Sequence, residues 1–237
     1  MKKTIAILAA SAAGFSAINA QEDISVTTTW EWQSSYVFRG VQLAEETFMP
    51  SLDFEVAGFY AGIWAALPVN HTVNGVEIDN EVDFYAGYGW GISELVSADV
   101  GFTYYTYPNA QDKFFDSDVN TFEVYGGLAF EVPFTPAIYI FRDFDVKSWT
   151  VEVSGGDSWE VALDTTFDLG AHLGYSDISG GDDYWYFGVD AGFTYAFNDY
   201  VSATVSAGWS WADEKYDFAG RIRDSRFFYG LAVSAGF

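Results

Sequence analysis

Polar and apolar residues alternate with a period of two over stretches far longer than an ordinary strand. In residues 200–211, Val201, Ala203, Val205, Ala207, Trp209 and Trp211 interleave with Tyr200, Ser202, Thr204, Ser206, Gly208 and Ser210. In residues 25–39, Val26, Trp30, Trp32, Tyr36 and Phe38 share one parity. Thr27, Thr29, Glu31, Gln33, Ser35 and Arg39 share the other. Successive side chains of a strand point to opposite faces, so such a segment has one greasy and one wet face. Strands of globular sheets usually stop at about five or six residues, well short of these segments.

About twelve segments of this kind cover 25–39, 47–57, 59–67, 79–90, 95–106, 119–132, 136–145, 148–162, 166–175, 184–197, 200–211 and 226–237. Their connections alternate in length. Short ones fall at Ala57-Gly58, Gly91–Glu94, Pro133–Thr135, Leu163–Thr165 and Asn198-Asp199. Longer ones fall near 40–46, 68–78, 107–118, 176–183 and 212–225, and only the turn near 146–147 departs from the rule. Tight turns on one rim and long loops on the other predict an all-β, antiparallel, up-and-down transmembrane barrel with periplasmic turns and extracellular loops.

The first twenty residues place Lys2 and Lys3 before an apolar run, Ile5 to Ala13, and small residues up to Ala20. That is the layout of a secretory signal peptide, so the expected organisation is a leader over 1–20 and one barrel over 21–237. An export signal joined to amphipathic strands points to the outer membrane of a Gram-negative bacterium. A soluble sandwich is the competing all-β fold, and two features weigh against it. Aromatics gather near strand ends (Tyr104, Tyr105 and Tyr107; Tyr184, Trp185 and Tyr186; Trp209 and Trp211; Phe227, Phe228 and Tyr229), as interfacial girdles do. The last strand carries Tyr229, Leu231, Val233, Ala235 and the terminal Phe237 on one face, a pattern that resembles the signal read by the outer-membrane assembly machinery.

Acids outnumber bases by 34 to 10. A nucleic-acid partner needs a basic footprint and is excluded on that ground. The chain has no Cys, so disulfides and thiolate chemistry are excluded. Strand parity puts Glu31, Asp53, Glu55, Glu81, Asp83, Asp99, Glu123, Glu152, Asp168 and Asp190 on the wet face, with Arg39 as the one clear inward base. Carboxylates around a lumen favour cations. The expected function is passive diffusion of small cationic or neutral solutes, with these residues and His172 lining the pore. No cofactor is implied. The competing reading is a closed barrel with a structural or surface-binding role, in which the acids solvate a plugged lumen.

Arg39 is expected either to form one side of a constriction facing Asp53 or Glu55 on the neighbouring strand, or to make an internal ion pair that fixes strand register. Arg221, Arg223 and Arg226, with Lys215, could meet lipopolysaccharide phosphates or sit in a solvated loop. The loop acids Glu45, Glu46, Asp112, Asp116, Asp118, Asp177, Asp182 and Asp183 lack regular ligand spacing, and no metal site is assigned. A lipid hydrolase would need a Ser–His pair. His71 lies in a loop, and parity turns His172 inward beside Asp168, away from lipid. No GxSxG, HExxH, phosphate-loop or EF-hand pattern occurs, and the chain is expected not to be an enzyme.

Three blocks resemble the TorF-like family of putative outer-membrane porins, in the same order: SSYVFRGVQ (34–42), FYAGIWAA (59–66) and EVDFYAGYG (81–89). LGAHLGYSD (169–177) and the last strand agree more loosely. The resemblance implies a small outer-membrane barrel described as a pore, and it carries no defined substrate.

Overall fold

The computed structural model describes residues 24–73, 76–110, 113–116, 118–181, 183–213 and 225–237. The leader expected over 1–20 lies outside these residues, as do Asp112, Asp182, Lys215, Arg221 and Arg223.

The strands in chain order are β1 (Ser25–Gln33), β2 (Tyr36–Phe38), β3 (Val41–Ala44), β4 (Thr47–Val56), β5 (Phe59–Pro68), β6 (Thr72–Val73), β7 (Val76–Glu77) and β8 (Glu81–Ser93). They continue as β9 (Val96–Thr106), β10 (Thr121–Phe130), β11 (Ala137–Asp143), β12 (Ser148–Ala162), β13 (Thr165–Ile178), β14 (Tyr184–Ala196), β15 (Val201–Ala212) and β16 (Ser225–Gly236). Twelve of them close a barrel in the order β1-β16-β15-β14-β13-β12-β11-β10-β9-β8-β5-β4. Every barrel pair is antiparallel, and β1 seals against β16 from Thr27↔Gly236 to Gln33↔Gly230. Closure satisfies the edge N–H and C=O groups, which a bilayer cannot do.

The greasy parity faces outward. Trp30, Leu52, Ile63, Val100, Val151, Leu173, Phe193, Val205 and Leu231 all stand exposed on the outer wall. An inside-out pattern of this kind buries apolar area against lipid rather than in a protein core. Some rings expected in the girdles do not lie there. Register places Tyr105 beside Asp83, Tyr184 beside Ser176 and Phe228 beside Gly208, all inward. Tyr186 also faces in and is fully buried. Tyr104, Trp185, Trp209, Phe227 and Tyr229 keep the outward parity. Consecutive aromatics in a strand must split between the faces, so a cluster in sequence gives only half its rings to a girdle.

Inward rings lie flat over glycines of the adjacent strand. Tyr60 covers Gly87, Tyr85 covers Gly62, Tyr125 covers Gly101 and Tyr139 covers Gly127. A side chain at any of these glycines would collide with the ring, so the pairs set the shape of this wall.

The largest departure from the sequence reading is at the first strand. The alternation through Arg39 predicts one strand over 25–39, yet β1 ends at Gln33. Residues 34–46 turn into the lumen, where β2 and β3 pair as a separate hairpin. At its tip Arg39 (φ 47°) and Gly40 (φ 80°) both adopt the left-handed conformation, which makes a type I′ turn between Phe38 and Val41. Ala57 and Gly58 make the same kind of turn between β4 and β5. The first loop thus repeats a hairpin turn but carries it inside the barrel.

Candidate functional site

The lumen divides into a filled half near the long loops and a wetter half near the short turns. The filling is the β2–β3 hairpin. On one side Tyr36 and Ala44 pack with Met49, Ala66 and Ile78, and Trp64 lies 5.3 Å from the Tyr36 ring. On the other side Val41 packs with Tyr184, Tyr186 and Ala212. A Cβ at Gly40 would stand 2.6 Å from Tyr186 Cβ and 2.9 Å from both Ala212 Cβ and the Trp211 carbonyl. Only glycine combines this turn with so close a seat on the far wall. The hairpin's own polar groups are answered internally. Gln42 Nε2 donates to Ser35 Oγ at 2.6 Å and to the Ala44 carbonyl at 3.2 Å.

Arg39 projects from the tip to β10 and makes an internal ion pair there, which corrects the expected constriction opposite Asp53 or Glu55. Its Nη1 and Nη2 donate to Glu123 Oε2 and Oε1 at 2.7 and 2.9 Å. Tyr105 donates to the same carboxylate at 3.1 Å. The guanidinium lies between two rings, 4.7 Å from the Phe38 centroid and 4.5 Å from that of Phe141. Bidentate pairing with two aromatic faces is a geometry that arginine makes and lysine does not. Asp53 and Glu55 lie on β4 toward the short turn at Ala57-Gly58, and neither bonds Arg39.

Glu81 and Asp83 (β8), Glu123 (β10), Asp143 (β11) and Glu152 (β12) form an acidic arc against the hairpin. All five are buried. Glu152 accepts from Tyr186 at 2.8 Å, and Asp143 caps the next turn by accepting from the N–H groups of Asp145 and Val146. In the other half Asp53, Glu55, Asp168 and Asp190 are partly or fully exposed. Asp53 takes hydrogen bonds from Ser51 and Tyr85, and Asp168 from Ser158 and Thr194. Asp99 is the exception to the wetness of this half. Tyr60 donates to it at 3.0 Å, and that hydroxyl also meets Tyr125 at 2.7 Å. Glu31 accepts from Gln33 Nε2 at 2.6 Å.

All the carboxylates placed on the wet face by parity thus have inward register, as does His172. The histidine lies over Gly188 with its ring 6.0 Å from that of Tyr186. His71 is tied into its loop through Ile78, whose carbonyl is 3.1 Å from Nδ1. Sequence reasoning missed three things. Asp143 belongs to the arc. Arg226 is the second residue of β16, opposite Ser210 and on the inward parity, so it is a second lumen base rather than a loop residue. Tyr105 and Tyr186 hydrogen-bond the arc's carboxylates. Inward parity was legible for these residues, but the partners across the lumen were not. Among the described residues, no group of three or more His, Cys, Asp and Glu side chains is arranged to hold a metal ion.

A closed twelve-stranded barrel with an apolar outer wall defines a protein of the bacterial outer membrane, with porin-like architecture. The chain belongs to the Gcw_chp family, described as bacterial proteins of unknown function, whose model matches residues 17–229. No curated protein matches it. The fold is similar to that of a KdgM porin solved in complex with disordered oligogalacturonate, at TM-score 0.58 and 14% identity over 90% of this chain and 99% of that one. It is also similar to a NanC porin, at TM-score 0.56 and 13% identity over 89% and 98%. At these identities the likeness is one of fold.

Proposed function

We propose that this barrel is a porin-like channel for passive diffusion of small solutes, with a preference for cations and for cationic or neutral molecules. The observation that carries the reading is the charge imbalance of the lumen. Eleven inward carboxylates named above face two inward bases among the described residues, Arg39 and Arg226. Arg39 is itself neutralised by Glu123. A low-dielectric wall strengthens the field of the remaining acids, which attracts cations and repels anions. Passage needs no chemical step and no cofactor. The resemblance of residues 34–42, 59–66 and 81–89 to TorF-like porins supports the same reading. In it the mature chain is 21–237, and the exposed stripe Tyr229, Leu231, Val233, Ala235 and Phe237 serves the assembly machinery. The outer wall meets lipid and lipopolysaccharide.

The hairpin supports a second reading, a barrel closed to solutes that binds at its surface. Single-channel recording separates the two. With the refolded mature chain in a planar bilayer under a KCl gradient, discrete openings with a reversal potential of cation sign are expected. Anion sign would overturn the selectivity, and a folded but silent barrel would favour the closed reading.

A further inference from the structure

One oxygen of the acidic arc has no answer from the protein. Asp83 is 7% exposed, and its Oδ1 is buried without a hydrogen-bond partner. Glu81, two residues earlier on the same face of β8, is 6% exposed, and Tyr36 packs on Ala66 and Trp64, the register partners of Glu81 and Asp83 on β5. Tyr36 belongs to the hairpin, so the pair is pressed between the barrel wall and the plug. The base at the tip of this hairpin does not serve the pair. Arg39 spends both terminal nitrogens on Glu123. Two adjacent carboxyls in an enclosed place cannot both stay charged unless something positive joins them.

We propose that Glu81 and Asp83, with the Tyr36 hydroxyl, form a site for one small monovalent cation of sodium or potassium size. Oxygen donors suit a hard cation. A divalent ion asks for about six or more oxygens, and calcium or magnesium sites draw several from carboxylates. Two carboxyls and a phenol match a singly charged ion better. The cation would tie β8 to the hairpin beside the Arg39–Glu123 contact, from which Tyr105 separates it. The site goes beyond the channel reading and stands whether or not the barrel conducts, because its test reads folding stability.

The test is thermal unfolding of the refolded barrel in a zwitterionic detergent, followed by circular dichroism. Urea brings the midpoint into range. NaCl or KCl is exchanged for N-methyl-D-glucamine chloride at a constant ionic strength of about 0.15 M, so that screening is equal. In the wild type the small cation is expected to raise the midpoint saturably, by about 3–5 °C. Asp83→Asn, whose amide can donate to Glu81, is expected to remove that dependence while keeping the fold. Glu81→Gln is the second variant and carries the same expectation. Asp177→Asn, an exposed acid on another strand, should respond as the wild type does. Equal wild-type midpoints in all three salts would overturn the site and leave a proton shared between the two carboxyls. A cation response that survives in both variants would overturn the assignment to this pair.

Discussion

Replacing Arg39 by alanine is expected to raise single-channel conductance several-fold and to open the hairpin to protease. The substitution leaves Glu123 charged and enclosed without its partner. Losing one member of a buried pair costs about 3–5 kcal/mol, more than replacing the pair as a whole. It also removes the two ring contacts with Phe38 and Phe141. The barrel's strand ladder does not depend on this contact, so the hairpin yields before the barrel does. Chymotrypsin reports the change. Tyr36 is 5% exposed and sheltered in the wild type, whereas Phe114 and Phe115 in an outer loop are exposed and serve as the internal control. Cleavage near Tyr36 and Phe38 in Arg39→Ala alone, with larger unitary currents, is the expected result. The double variant Arg39→Ala/Glu123→Gln removes the orphaned charge and is expected to recover part of the protection. If currents and cleavage stay at wild-type levels, the hairpin is held by its apolar seats rather than by the ion pair.

The second large effect belongs to the outer wall. Leu173 lies in the middle of β13 between Val153 and Phe187, with its side chain toward lipid. Leu173→Arg is expected to destabilise the barrel in lipid by about 2–4 kcal/mol, the cost of a guanidinium near the bilayer midplane. The same charge on the inward face should be tolerated. Thr204 is half-buried and hydrogen-bonded to Thr194, which in turn donates to Asp168. Thr204→Arg would place a base near that carboxylate, and it is expected to keep the fold and weaken the cation preference. Reversible unfolding from vesicles checks the first variant, and the reversal potential checks the second. Equal costs at the two positions would contradict the inside-out assignment of faces.

Most of the barrel was legible from local pattern. Alternation named the two faces, turn residues such as Ala57-Gly58 marked the hairpins, and the long and short connections gave the rims. The inward parity of Asp53, Glu123, Glu152, Asp168 and His172 followed from counting by twos. The same counting misled at Arg39. Residues 34–39 keep their alternation after leaving the wall, because β2 and β3 are themselves a strand pair with two sides. One side packs on Met49 and Ala66 and the other on Tyr184 and Tyr186, so the pattern continues while the chain changes place.

What the sequence determined by itself is therefore whatever depends on neighbours along the chain: strand period, strand number and which parity of each strand faces outward. What only the tertiary structure decided is which groups meet across the lumen. Ten acids share the parity open to Arg39, and nothing local distinguishes Glu123 from Asp53. Closure of β1 on β16 sets the curvature and register that bring β10 opposite the hairpin's tip. The space over Gly40 then fixes how far the hairpin reaches. These are contacts between residues far apart in the chain, and they exist only once the sheet has closed into a ring.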